Sequence, residues 1–307
     1  MKQKTLTPKI LIFGAGAVGA FYGGKLAQVG AHVSVVCRSD HNFVKKNGFK
    51  IKSIWGNFSF KPKHVLSHTN DYKDQADYLI ITSKVLKDNP IPLIQQAVHP
   101  NTSILLLQNG IDIEKPYQKA FPKNDLYSGL AFCCINRTGP GQIHHLDFGR
   151  IVLGKYPHGT SQKLLALAQI FKKAEVPCQI TNNIILERFK KLIWNAPFNP
   201  LSVLTQGMDT QQILKDPHLK DLVYKIMLEI HSIANSYGYK IPMNVIHKHI
   251  IETKKMVAYK PSMLLDWQAG KPLETDAILG NAITLAQAKH IHTPCLDTIF
   301  ALLQQYS

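Results

Sequence analysis

Four residues of one segment hold most of the chemistry this chain could perform. Glu187, Lys191, Asn195 and Asn199 stand at successive steps of four. In an α-helix, residues four apart share a face, so the spacing predicts a single polar row. Leu192, Ile193, Trp194 and Phe198 run between them and favour burial. A lysine and two asparagines at the edge of an apolar helix make a poor core and a good polar pocket. A lysine that loses solvation there has its pKa shifted downward and serves as a proton donor near neutral pH. The opposing reading is a solvated face carrying an ordinary i, i+4 ion pair. The first forty residues favour the pocket.

Ile10–Phe13 is a short apolar run without alternation, as a buried parallel strand requires. It leads into Gly14-Ala15-Gly16-Ala17-Val18-Gly19, a G-x-G-x-x-G turn, and then into a helix of small and apolar residues with Gly30 as its stop. Gly14 permits the tight turn, Gly16 lets the backbone approach a pyrophosphate, and Gly19 lets helix and strand pack closely. The helix N-terminus offers N–H groups and a positive dipole end to the phosphates. A second strand, His32–Cys37, ends in Arg38-Ser39. Folds that select NAD place Asp or Glu there for the ribose 2′-OH. This chain has no carboxylate until Asp40, and Arg38 suits a 2′-phosphate through bidentate bonds. The cofactor expected from these residues is NADP(H); the opposing reading of Arg38 is a surface arginine at a strand end.

The elements that must position these residues follow from the pattern of apolar runs. Residues 76–82 and 103–108 read as further buried strands, with helical patterns near 88–98 and 111–120. Such βαβ alternation predicts a doubly wound parallel sheet of Rossmann type. Residues 48–60 read as a hairpin turning at Gly56-Asn57. Residues 127–136 and two short runs within 142–154 read as later strands, the last pair antiparallel. Lys84 and Asn109 follow two strands of the sheet, where open α/β sheets bind ligands. From 183 onward the patterns are helical: 183–200, 217–237, 242–258, 272–290 and 294–305. The expected division is a nucleotide domain over 1–181 and an all-α domain over 182–307. Pro197, between the two asparagines, is expected to kink the first of these helices.

Composition narrows the classes. At 307 residues and 45% apolar content the chain can bury two cores. No apolar run approaches the ~20 residues of a membrane span, and no signal region follows the first methionine. Five cysteines without C-x-x-C spacing read as reduced thiols of a cytoplasmic protein. His247/His249 and His290/His292 lie two apart, on helix surfaces or ends, and no metal is assigned. The net charge is +16, and residues 1–181 hold 23 Lys/Arg against 10 Asp/Glu. That field would concentrate anions such as a dinucleotide or a keto acid. The lysines lack interleaved aromatic platforms, which argues against nucleic acid.

With these pieces assembled, the chain resembles the ketopantoate reductases (2-dehydropantoate 2-reductases) over nearly its whole length. The family's glycine turn matches Gly14–Gly19, its basic residue Arg38, its mid-sheet lysine Lys84, and its Asn-Gly loop Asn109-Gly110. Its E-x-x-x-K-x-x-x-N-x-x-x-N-P-L helix matches Glu187–Leu201, and its S-S-M-x-x-D…E segment matches Pro261-Ser262-Met263 through Asp266 and Glu274. The resemblance implies a C-terminal domain like that of 6-phosphogluconate dehydrogenase. It implies NADPH-dependent reduction of 2-dehydropantoate to (R)-pantoate on the route to pantothenate and coenzyme A. Under it, Lys191 is the general acid and Glu274 positions the substrate and that lysine. Asn195 and Asn199 bind the substrate hydroxyl; Asn109 and Ser262 hold its carboxylate end. Gly14 to Gly19, Arg38, Lys84 and Asn109 hold the cofactor. The chain departs from the family at Pro197, at Lys87, at Asp209–Gln212 and at Pro261, which bears on substrate shape. Another 2-keto acid and a non-catalytic NADPH sensor are the alternatives; the helical half would supply the surface for a homodimer.

Overall fold

The computed structural model describes residues 7–86 and 90–306. The departure at Lys87 lies outside the described residues. The chain forms two compact units. The first runs from the N-terminus to Ile184, apart from short segments at 85–88 and 109–113. Those segments count with the second unit, which is otherwise residues 185–307.

The first unit is built on one sheet. β1 (Lys9–Phe13) leads through the glycine turn to α1 (Ala17–Gln28), then β2 (His32–Val36) and α2 (His41–Asn47). β3 (Phe49–Ser53) and β4 (Phe58–Phe60) pair antiparallel as the expected hairpin, and Asn57 Oδ1 accepts the Ser53 N–H at its neck. After β5 (Val65–Leu66) come β6 (Tyr78–Ile81), a short α3 (Ile91–Ile94), β7 (Ser103–Leu106) and α4 (Lys115–Ala120). β8 (Leu126–Gly139) and β9 (Gln142–Lys155) form a long antiparallel ribbon, followed by α5 (Gln162–Lys173) and β10 (Cys178–Ile180). The strand order is β4-β3-β9-β8-β7-β6-β1-β2-β5, with β10 beside β9. From β8 to β5 all neighbours are parallel. β1 therefore lies between β2 and β6, the point where strand order reverses and such sheets bind ligands. Ile10, Leu11, Ile12, Leu79, Ile80, Leu105 and Leu106 are buried on both faces, which explains their unbroken apolar runs.

The Rossmann-type sheet is thus as expected, with a correction at 142–154. The two short runs are one fourteen-residue strand, β9. Its register to β8 shifts near Phe132, Cys134 and Arg137, and each bulge breaks the alternation that marks a strand in sequence.

The second unit is helical: α6 (Ile184–Leu204), α7 (Thr210–Lys215), α8 (Pro217–Ser236), α9 (Asn244–Lys255), α10 (Ser262–Gln268), α11 (Asn281–Gln287) and α12 (Pro294–Leu303). Its core joins Phe189, Ile193, Phe198, Ile226, Ile230, Ile278 and Leu296. Pro197 and Pro200 do not end α6, which continues to Leu204. Each proline withholds one N–H from the carbonyl four residues back, but Phe198, Leu201 and Val203 are buried and hold the helix. Asp209 begins α7 as a capping box, its carboxylate accepting the N–H groups of Gln211 and Gln212 while Gln212 Oε1 accepts its own. A π-helical turn, Asp276–Gly280, runs straight into α11.

Candidate active site

The glycine turn shows what each glycine makes room for. Gly14 has φ +92°, and a Cβ on it would stand 2.5 Å from the Ser83 nitrogen. A Cβ on Gly19 would stand 2.5 Å from Thr82 Oγ1 and 2.9 Å from the Gly14 oxygen. Both crowd the start of the loop after β6, and Thr82 Oγ1 donates to the Gly14 oxygen at 2.7 Å. Gly16 differs, because a Cβ there would meet nothing nearer than the Gly14 oxygen at 4.0 Å. Open space above a bare Gly16 backbone, at the N-terminus of a twelve-residue helix without an acidic first turn, fits a pyrophosphate. Ala15 is buried under the turn, and Ala17 and Val18 are half-buried on the first turn of α1.

Beyond β2, Arg38 is exposed. Asp40 is 4% exposed and committed elsewhere, to Arg137 at 3.1 Å and to the Gly141 N–H at 3.0 Å. That carboxylate is therefore spent inside the protein. Lys84 is half-buried after β6; the neighbouring Ser83 carbonyl accepts from Gln108 Nε2 at 2.7 Å.

Within the helical unit, α6 places Glu187, Lys191, Asn195 and Asn199 as expected, with Asn195 and Asn199 buried. Lys191 Nζ donates to Asn109 Oδ1 at 2.8 Å. Glu187 pairs with Lys190 at 2.7 Å, three residues along, rather than with Lys191.

The loop at 109–113 is held from several sides. Arg188, 1% exposed, donates to the Gly110 oxygen at 3.0 Å. The Ile111 N–H donates to the Ala277 oxygen at 3.0 Å, and Asn281 Nδ2 donates to the Ile111 oxygen at 2.7 Å. Gly110 has φ +112°, and a Cβ there would stand 2.6 Å from the Ala277 oxygen. Glycine is required at this contact. Glu274, just before the π-turn, accepts the Val85 N–H at 2.9 Å. The segments after β6 and β7 are thus both gripped by the stretch 274–281. Ser262 opens α10 and is exposed, with no bond to Lys191 or Glu274 among the described residues.

Sequence reasoning did not single out Arg188, Asn281 or His249. His249 Nε2 bonds the carbonyl of Lys190 at 3.0 Å, and burial pushes its pKa down, which favours the neutral N–H donor. His249 was expected on a helix surface or end; it is half-buried on α9 with its ring bonded to α6. Its spacing from His247 carried no sign of that, since the partner lies on another helix.

A glycine turn at the switch point of a parallel sheet, with a lysine–asparagine pair on a helical unit, defines the class of two-unit nicotinamide-dependent oxidoreductases. The family model described as "Ketopantoate reductase PanE/ApbA" matches residues 10–158, and its C-terminal counterpart matches 183–307. A 2-dehydropantoate 2-reductase of Nostoc sp. is 33% identical over 96% of this chain and 94% of its own. The crystal structure of 2-dehydropantoate 2-reductase from Methylococcus capsulatus is 41% identical, with a TM-score of 0.90 over 97% of this chain and 96% of that one. That from Geobacter metallireducens is 33% identical, with a TM-score of 0.91 over 97% and 100%. The chain belongs to the ketopantoate reductase family, and it is an oxidoreductase that uses a nicotinamide cofactor.

Proposed function

We propose that the protein reduces 2-dehydropantoate to (R)-pantoate with NADPH, the step that feeds pantothenate and coenzyme A synthesis. Bound NADPH supplies the hydride; this chain's residues handle the charge and the proton that follow. The observation that carries the reading is the bond from Lys191 Nζ to Asn109 Oδ1, made by a half-buried ammonium on a helix that also buries two asparagines. Asn109 aims the ammonium, which stabilises the oxygen as it gains charge and then protonates it. Such proton transfer contributes on the order of 10²–10⁴ in rate. Asn195 and Asn199 bond the substrate hydroxyl, and Ser262 with Asn109 holds the carboxylate end. Glu274 orders the segment at Val85 through its 2.9 Å bond and, in this reading, orients the substrate beside Lys191. Gly14 to Gly19, Arg38, Lys84 and Asn109 hold the dinucleotide. The reduced thiols fit a cytoplasmic enzyme, and a homodimer would use the helical unit.

Lys191→Ala tests the reading. It should lower kcat at least 100-fold while NADPH binding, followed by nucleotide fluorescence, stays within a factor of two or so. Wild-type turnover in that variant would remove Lys191 as the general acid. A wild-type protein that binds NADPH and reduces no keto acid would be a sensor.

A further inference from the structure

Arg137 lies near the end of β8, far in sequence from the loop it touches. Its Nη1 donates to Ser39 Oγ at 2.9 Å and pairs with Asp40 Oδ1 at 3.1 Å. Asp40 is a fixed anchor, because it is buried and its other oxygen holds the Gly141 N–H at 3.0 Å on the same hairpin. The Arg137 side chain keeps 33% of its surface exposed. A guanidinium has five donors; the Nε and Nη2 hydrogens of Arg137 meet no partner among the described residues. Ser39 directly follows Arg38, whose exposed side chain makes no bond among the described residues. Two guanidinium groups therefore flank the first residues after β2, where this fold places the ribose 2′ position.

We propose that Arg137 is a second cation of the 2′-phosphate site and, with Arg38, sets the preference for NADPH over NADH. The inference rests on the NADPH reading above and adds a residue to it. Asp40 does not oppose a phosphate outright, because its charge is matched by Arg137 and leaves Arg38 in excess. Its effect is to orient the fork, so that less side-chain freedom is lost on binding. No nucleotide motif points to Arg137, because it comes from a different strand.

The test is titration of the full chain with NADPH and with NADH, followed by nucleotide fluorescence, for wild type, Arg137→Gln, Arg137→Lys and Arg38→Gln. Wild type should prefer NADPH. Arg137→Gln should cut that preference about tenfold, a typical loss for one charge-assisted bond. Arg137→Lys should restore part of it, since the charge returns without the fork, and it carries the test if the glutamine variant does not fold. An unchanged NADPH/NADH ratio in the Arg137 variants, or equal weakening of both nucleotides, would assign Arg137 to hairpin structure and overturn the proposal. A wild type with no preference would overturn the NADPH reading and this inference together. Preference lost in Arg38→Gln alone would overturn only the role of Arg137.

Discussion

In the proposed reaction, Lys191 depends on what its neighbours on α6 grip. Arg188 and Lys191 stand three apart and reach successive residues of one loop: Arg188 the Gly110 oxygen, Lys191 the Asn109 side chain. Arg188→Gln would leave a half-buried carbonyl without its charged donor and loosen Asn109. We predict a fall of about tenfold or more in kcat, from about 1.5–3 kcal/mol of lost bond energy, with partial rescue by Arg188→Lys. NADPH affinity should move far less than kcat; parallel turnover and nucleotide-binding measurements check the split, and equal losses would contradict it. The sequence singled out Lys191, both asparagines and Asn109 as candidates, because each stands at a readable position on a helix or after a strand. It did not show Arg188, His249 or Arg137, whose partners lie 78, 59 and 98 positions away. Glu187 pairs with Lys190 rather than with Lys191; both spacings are allowed on one helix face.

At the scale of elements, the parallel strands were legible because burial on both faces leaves apolar runs. The β8–β9 ribbon was less so, because its bulges and the positive φ of Phe148 (58°) and Gly149 (119°) break the period. α5 was not anticipated although Leu164, Leu167, Ala168 and Phe171 repeat at helical spacing behind a Ser161 cap. α7 and α10 were missed for another reason: six or seven residues give too little period to read. The glycine turn makes a sharp prediction at this scale. Gly19→Ala would force a Cβ to 2.5 Å from Thr82 Oγ1 and 2.9 Å from the Gly14 oxygen. It should cost about 1–3 kcal/mol of stability, as overpacking does, and weaken dinucleotide binding. Gly30→Ala is the control: at φ +93° it meets no atom within 4 Å and should cost only about 1–2 kcal/mol of left-handed backbone strain, with binding retained. Denaturant midpoints and nucleotide titrations separate the two; normal binding in Gly19→Ala would contradict the packing argument.

Over the whole molecule, one buried and one half-buried imidazole link folding to pH. His145 bonds Ser53 Oγ at 2.8 Å inside the first unit, and His249 bonds α6 in the second. Burial lowers both from the usual 6.5. The unfolded chain therefore binds more protons near and below that pH, so stability is full above about 6.5 and is lost as pH falls toward the folded values. We predict a lower urea midpoint at pH 5.5 than at pH 7.5, with a smaller difference in His249→Gln; a flat profile would contradict it. The buried thiols behave oppositely: burial raises Cys37 to about 11 and Cys178 to about 12, so both should resist alkylation at neutral pH in the folded state. Among the described residues no helix is long and apolar enough to cross a membrane. The central claim concerns the reaction, and the most direct measurement is loss of NADPH absorbance with 2-dehydropantoate, run beside 2-ketoisovalerate and pyruvate, with NADH as the control. The account predicts fast turnover of 2-dehydropantoate with NADPH and little with NADH. Preferred turnover of another keto acid would keep the mechanism and contradict the substrate, whereas absence of turnover with NADPH bound would contradict the proposed reaction itself.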